Sequence, residues 1–429
     1  MEMPASKFQI EDLAIFGGTP AFNSKLHVGC PNIGNRVSLL ERINGLLDQK
    51  WLTNDGPLLQ EFEQRICQLI GVKHCVAVCN ATVGLEILAK AIGLSGEVIL
   101  PSFTFIATAH ALRWDGVTPV FCDVNSATHN IDSSCAEELI TERTTGIIGV
   151  HLWGRPCDVG TLTDIARRHR LKLLFDAAHA FGCSHNHQMI GNFGNAELFS
   201  FHATKILNTF EGGAVVTNDD KLAAKIRLMR NFGFSGYDTV ICLGTNGKLS
   251  EASAAMGLTS LESLDNFIDI NRRNYHLYRQ KLARVPGISL SHYQEDEKCN
   301  YQYVVIEIDE AVTGVSRDIL NDILWAENVL VRRYFYPGCH RMEPYRTDDP
   351  QAGLRLPETE RLAKKILCLP TGSAVNSDEI SVICELIEFI VKHAKEMKEK
   401  LFTKPIFRYR RQGSSQTASS NQSQFGSST

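Results

Sequence analysis

From about residue 73 to residue 217 the chain alternates short apolar runs with amphipathic stretches, and this alternation restricts the fold more than any other feature. The runs lie at Cys75-Val76-Ala77-Val78, Val98-Ile99-Leu100 and residues 119–124, 146–151, 172–176, 198–201 and 214–217. Between them, apolar residues recur three and four apart, as in Leu85, Leu88, Ala89 and Ile92, or across residues 106–114 and 162–169. Near-continuous apolar strands separated by helices predict an α/β domain, with a mainly parallel seven-stranded sheet covered on both faces. Ligands of such sheets sit outside the carboxyl ends of the strands. That rule places Asn80, Pro101, Asp123, Asp176 and residues 200–205 around one crevice.

The flanking segments read differently. Residues 1–35, with Gly17-Gly18 and Pro31, read as an N-terminal arm. Helical spacing begins near Val37, is interrupted by a loop at 51–57, and resumes with Leu58, Leu59, Phe62, Ile66 and Leu69. The large domain is expected to span 36–250. A long helical segment, 252–285, then leads into a smaller α+β C-terminal domain, the two together covering 251–405. Its expected strands are 303–308 and 329–334, and its expected helices 316–327 and 378–400. Residues 406–429 are rich in Ser, Gln, Thr, Asn and Gly, with little to bury, and are expected to form a disordered tail.

Composition removes several function classes. A formal net charge of -4 over 429 residues leaves no electrostatic footprint for nucleic acid. No apolar run is long enough to span a bilayer, and nothing resembles a secretory leader. The 13 cysteines are scattered without a C-x-x-C pair, so neither a metal site nor a disulfide framework is indicated. A cytoplasmic protein with reduced thiols is the expectation.

Three features carry chemistry. Asn80-Ala81-Thr82-Val83-Gly84 leaves a strand and opens a helix, where free N–H groups and the dipole suit a phosphate. Read blandly, Asn80 or Thr82 is an ordinary N-cap. Asp176 ends an apolar strand amid small residues and needs a cation, such as a protonated pyridine nitrogen; a helix cap or a metal ligand is the plainer alternative. Lys205, in Ser200-Phe201-His202-Ala203-Thr204-Lys205, is either a surface lysine or a desolvated amine able to condense with an aldehyde. Taken together, the three fit pyridoxal 5′-phosphate: phosphate at the helix start, ring nitrogen at the aspartate, aldehyde at the lysine. Phe105, at another strand end, can stack on the ring.

These motifs resemble the DegT/StrS-type sugar-nucleotide aminotransferases, enzymes of the fold-type I aminotransferase class. The resemblance runs from about Trp51 to His340 and weakens toward residue 400. It rests on Leu52-Thr53-Asn54-Asp55-Gly56-Pro57, residues 101–108, Asp176-Ala177-Ala178-His179, residues 200–205, Glu211-Gly212-Gly213 and Gly244-Thr245-Asn246-Gly247-Lys248. It implies Lys205 as the cofactor-joining lysine, Asp176 as partner of the pyridine nitrogen, His179 near the ring hydroxyl and Phe105 as the stacking aromatic. It further implies Ala81, Thr82 and Ser200 as phosphate ligands, joined by Asn246 from the other subunit of a homodimer. Two positions depart from common family residues: many relatives carry Ser-Gly-Thr at 80–82, and Arg, Tyr or Phe at Lys248. Members that act as dehydratases carry histidine in place of the lysine, so Lys205 implies transamination.

The resemblance also implies partners. L-Glutamate is the expected amino donor and a keto sugar nucleotide the acceptor. Residues 332–345 are similar to members that aminate dTDP-4-keto-6-deoxy-D-glucose at the 4-position, with dTDP-4-amino-4,6-dideoxy-D-glucose as product. Arg332 or Arg333 is expected at the diphosphate. Tyr334 and Tyr336 are expected to line the sugar pocket, with Lys248 and His340 also near the substrate. A cross-strand aromatic ladder is the alternative for the tyrosines. A 3-keto or UDP-linked sugar, or a non-catalytic sensor on the same fold, are the competing functions.

Overall fold

A computed structural model describes residues 7–403; the expected tail at 406–429 lies outside the described residues. Seven strands form the central sheet: β1 His74–Val78, β2 Glu97–Pro101, β3 Thr118–Cys122, β4 Thr144–Val150, β5 Lys172–Asp176, β6 Ala196–Ser200 and β7 Gly213–Thr217. Their spatial order is β1-β7-β6-β5-β4-β2-β3. Strand β7 runs antiparallel to both β1 and β6, and every other pairing in this sheet is parallel. The sheet is therefore mainly parallel, as the alternation predicts.

Both faces are buried because alternate residues of each strand point to opposite layers. Helices α1 (Arg36–Gln49) and α2 (Pro57–Ile70) precede the sheet in the chain. Val76 and Val78 of β1 pack with Leu198 and Val215 beneath helices α3 (Ala81–Ile92) and α4 (Ala107–Trp114). Cys75, Ala77, Phe199, Ala214 and Val216 face the opposite layer, with Phe62, Ile66 and Leu258. Gly84 lets α3 lie close to the sheet, since a Cβ there would stand 2.6 Å from Leu198 Cδ1 and 2.9 Å from Val78 Cγ2. The close approach sets the start of α3 over the carboxyl ends of β1, β6 and β5.

The smaller α+β C-terminal domain has a three-stranded antiparallel sheet, Ile288–Leu290, Val304–Ile308 and Ile366–Leu369, which we number β8, β9 and β10. Its core takes in Ile10, Leu13, Phe22 and Leu26 of the N-terminal arm. The arm is fastened by Glu327, whose buried carboxylate accepts hydrogen bonds from the Ala14 and Ala21 N–H groups, each 2.7 Å, and pairs with Lys7 at 3.1 Å.

Several boundaries differ from expectation. The helical segment 252–285 is two helices, Glu251–Glu262 and Leu264–Leu282, meeting at Ser263. The C-terminal helix 378–400 is likewise two, Ser377–Lys392 and Ala394–Thr403. The expected strand 329–334 pairs only as Val329–Leu330, in parallel with Leu26–His27, and Arg332 makes an isolated bridge to Cys368. Asp123 is not in the crevice. Its carboxylate caps the helix Pro357–Lys365, accepting from Glu358 N (2.9 Å), Thr359 N (2.8 Å) and Thr359 Oγ1 (2.8 Å), and so joins the two domains.

Candidate active site

The strand ends, the start of α3 and the C-terminal domain enclose a cavity of about 470 Å³. Asn80, Ala81 and Thr82 line it from α3, Phe105 from the β2–α4 connection, and Asp176, His179, Ser200 and Lys205 from the ends of β5 and β6. Tyr303, Arg332, Tyr334 and Phe335 close it from the C-terminal domain.

Asn80 is the N-cap of α3, its side chain accepting from Val83 N at 2.9 Å. The N–H groups of Ala81 and Thr82 have no intrahelical acceptor and lie at the positive end of the helix. Gly213 of β7 allows this turn to approach, because a Cβ there would stand 3.0 Å from Ala81 N. Ser200, nearly buried at the end of β6, adds a hydroxyl to the same wall.

Asp176 is buried, and its two oxygens are separately engaged: Thr108 Oγ1 donates to Oδ2 (2.8 Å) and Ala178 N–H to Oδ1 (3.0 Å). Burial pushes the carboxyl pKa up, while these two donors and the charge of Lys205 pull against it. Such an anion is completed by a cationic hydrogen-bond donor.

His179 follows β5 by one turn. Its Nδ1 accepts from Trp153 N–H at 3.3 Å, which assigns the proton of the neutral ring to Nε2. Burial, with Lys205 adding repulsion, holds its pKa well below the usual histidine value, so the ring is neutral near pH 7. Trp153 holds this geometry in a left-handed conformation, φ 61°, a backbone strain of about 1 kcal/mol or more for a non-glycine residue. Its ring stacks on His179 (centroids 5.8 Å apart) and on Phe335 (5.4 Å).

Lys205 lies in the connection between β6 and β7, with Nζ donating to Tyr303 Oη at 3.2 Å. Burial lowers its pKa to about 8, against the opposing attraction of Asp176. A neutral amine is thus accessible near neutral pH. Phe105 is 57% exposed and leans on Phe335, leaving much of its ring open on the cavity side of the chain.

Other expected residues lie elsewhere. Asn246 is exposed and Lys248 half-buried, away from the cavity; Lys248 Nζ donates to Asn231 Oδ1 (3.1 Å) and sits 4.6 Å from the Phe232 ring centroid. Tyr336 belongs to an adjoining groove of about 410 Å³ shared with Arg332, Arg333, Tyr334 and Trp325. His340 is a correction. It is 2% exposed and absent from the cavity wall, with Nδ1 on Ser102 Oγ (2.7 Å) and Nε2 on Glu360 (2.9 Å), so both nitrogens are spent inside the protein. Thr108 and Tyr303 are the residues that sequence reasoning passes over. Thr108 closes the 101–108 motif without a role of its own, and Tyr303 opens an expected strand.

A profile of the DegT/DnrJ/EryC1/StrS aminotransferase family matches residues 35–388. The chain belongs to this family. Among its relatives, a dTDP-4-amino-4,6-dideoxy-D-glucose transaminase of Shigella dysenteriae is 36% identical over 368 residues, covering 86% of this chain and 98% of that one. A GDP-perosamine synthase of Caulobacter vibrioides is 35% identical, over 80% of this chain and 93% of its own. The crystal structure of DesI in the presence of its TDP-sugar product superposes with a TM-score of 0.86 at 49% identity, covering 91% of this chain and 99% of DesI. The chain is accordingly a sugar aminotransferase of the DegT/DnrJ/EryC1/StrS family.

The family implies pyridoxal 5′-phosphate, and the donor set suits it. Open N–H groups at a helix start match a phosphate, a buried carboxylate with its other lone pairs occupied matches a cationic ring nitrogen, and a lysine of lowered pKa matches an aldehyde. Among the described residues no cluster of metal ligands occurs, and no helix is long and apolar enough to cross a membrane.

Proposed function

We propose that the protein uses pyridoxal 5′-phosphate to move the amino group of L-glutamate onto a 4-keto-6-deoxy sugar nucleotide. The acceptor is dTDP-4-dehydro-6-deoxy-D-glucose and the product dTDP-4-amino-4,6-dideoxy-D-glucose. The observation that carries the reaction is the convergence of Lys205, Asp176 and the start of α3 on one cavity. The acceptor is supported by the named activity of the Shigella relative and by the likeness to DesI.

When bound, the cofactor supplies an aldehyde that joins amines and a ring that accepts electrons from the adjacent carbon. The residues of this chain do the rest. Ala81, Thr82 and Ser200 would bind the phosphate, and Asp176 would hold a proton at the ring nitrogen. Phe105 would pack against the ring, and the Nε2 proton of His179 would be the donor for the ring hydroxyl. Lys205, once displaced by the donor amine, would take the α-proton of glutamate as a general base and deliver it to the cofactor carbon on the far side of the amino nitrogen. On the acceptor side, Arg332 or Arg333 meets the diphosphate and Tyr334 and Tyr336 border the sugar.

The working unit is a homodimer in the cytoplasm, where nucleotide sugars are at hand. Asn246 lies on an exposed loop that also presents Tyr237, Val240, Ile241 and Leu243. That apolar surface suits a second copy, with Asn246 reaching the partner's phosphate site.

Incubation of the purified protein with L-glutamate and a panel of 4-keto and 3-keto sugars linked to dTDP, UDP and GDP tests the proposal. Mass spectrometry and NMR should find dTDP-4-amino-4,6-dideoxy-D-glucose as the preferred product. Preferential amination at carbon 3, or of a UDP- or GDP-linked sugar, would replace the acceptor assignment while leaving the chemistry intact.

A further inference from the structure

We propose that Tyr303 is the positioning residue for the Lys205 amine, holding Nζ at the reacting carbon during the steps in which the lysine is not joined to the cofactor. This rests on the reading of Lys205 as the cofactor-joining lysine. That reading leaves a physical problem. A freed lysine has four rotatable bonds and about 2 kcal/mol of rotamer entropy to lose before it can act as an aimed base. Asp176, a buried acid of the same cavity, makes no ion pair with it among the described residues and acts on it through space. Tyr303 Oη, 3.2 Å away, is the hydrogen-bond partner the structure gives Nζ.

The phenol is itself firmly held. Its ring centroid lies 4.4 Å from that of His179 and 5.3 Å from that of Trp153. Its carbonyl accepts from Tyr293 Oη at 2.9 Å, and the same hydroxyl reaches Trp153 O at 2.9 Å. The neighbouring Gln302 Nε2 donates to Thr204 O at 2.8 Å, pinning the residue before the lysine. Two adjacent residues of the C-terminal domain thus fix Lys205, one through its backbone neighbour and one through its amine.

A phenol suits both protonation states of the amine. It accepts from an ammonium and can donate to a neutral amine. Burial pushes its own pKa well above the usual value, so it keeps its proton throughout. The balance is simple. A substrate C–H would break as an N–H forms on Lys205, that N–H would later break as a C–H forms at the carbon on the other side of the amino nitrogen, and the phenol O–H is neither gained nor lost. The titratable and charged groups facing Lys205 are Asp176 and His179 from the large domain and Tyr303, Arg332 and Tyr334 from the C-terminal domain, with the exposed His202 and Glu211 on the same wall.

The test uses the full-length holoenzyme and Tyr303→Phe, with Tyr278→Phe as a control that removes another buried phenol, one whose Oη donates to Pro370 O at 2.9 Å in the C-terminal core and holds neither Tyr303 nor the amine. Borohydride reduction and peptide mass spectrometry should fix the cofactor to Lys205 in the wild type; a label elsewhere would sink the reading of Lys205 rather than the role of Tyr303. Given that label, Tyr303→Phe should keep the melting temperature and the glutamate Kd while slowing the glutamate half-reaction by about tenfold or more, with a larger α-deuterium isotope effect. Tyr278→Phe should stay within about twofold of wild type. A readout independent of turnover is the pH dependence of capture of added pyridoxal phosphate by the stripped chain. Loss of the acceptor disfavours the ammonium, so the midpoint should move to lower pH by about half a unit or more. 3-Fluorotyrosine at 303 keeps the shape, weakens the acceptor and should give a smaller shift in the same direction, which decides the matter if Tyr303→Phe folds poorly. An unmoved midpoint, a half-reaction near the wild-type rate, or equal losses in Tyr278→Phe would overturn the inference.

Discussion

Thr108 Oγ1 donates a 2.8 Å hydrogen bond to Asp176 Oδ2, one of two donors that support this buried carboxylate before any ligand is considered. Removing it with Thr108→Val preserves shape but leaves the carboxylate less well solvated. A hydrogen bond to a charged group contributes about 1.5–3 kcal/mol, so cofactor affinity should fall roughly tenfold or more in a pyridoxal phosphate titration. The sign of the pH effect is also fixed. Thr108 lowers a carboxyl pKa that burial raises, so its loss raises that pKa further. Activity should then be lost at a higher pH on the acid side than in the wild type. An unchanged acid limb would contradict the assignment of Asp176.

Lys205 has to lose a proton to act, and its pKa is lowered to about 8. Below that value the neutral fraction rises about tenfold per pH unit, and above it the fraction levels off. The rate at which the stripped chain captures added pyridoxal phosphate should follow the same curve. Lys205→Arg retains the charge but cannot deprotonate in this range. It should fold, keep the cofactor non-covalently, and show neither borohydride-fixed cofactor nor transamination. Turnover at the wild-type rate would remove Lys205 from the mechanism.

Glu327 concentrates several partners on one buried carboxylate: the N–H groups of Ala14 and Ala21, and Lys7. Glu327→Ala strands two N–H groups and removes the buried charge paired with Lys7, a loss of about 3–5 kcal/mol for a broken buried pair. The melting temperature should drop and limited proteolysis should begin within residues 7–21. Cleavage elsewhere first would show that the arm is held mainly by Ile10, Leu13 and Phe22 packing into the C-terminal core.

The central sheet is legible because buried parallel strands write themselves as apolar runs, and the rule about strand ends then brings Asp176, Ser200 and Lys205 to one side. The break at Ser263 is not legible. Leu264 continues the apolar spacing of the preceding helix in phase, so periodicity carries no mark of it. His340 misleads for a different reason: a histidine among arginines and tyrosines looks exposed, yet Ser102 and Glu360, which bury it, stand far away in sequence. Tyr303 is invisible for the converse reason. It reads as the first residue of an ordinary strand, and its relation to Lys205 arises only when the two domains pack across 98 residues of chain.

Asn246 and Lys205 provide the test of a shared site. In the described chain Asn246 is exposed and off the cavity that Lys205 lines, so its family role demands a second subunit. Lys205→Ala and Asn246→Ala should each be impaired alone. In a hybrid dimer of the two, one site combines both substitutions, while the other draws Lys205 from one chain and Asn246 from its partner and is intact. Random reassortment of the two variants should therefore restore about a quarter of wild-type activity. Were each site built from a single chain, every site in the hybrid would carry one defect, and mixing would restore nothing. The assay needs no structure of the dimer, and the size of the recovered activity distinguishes the two arrangements directly.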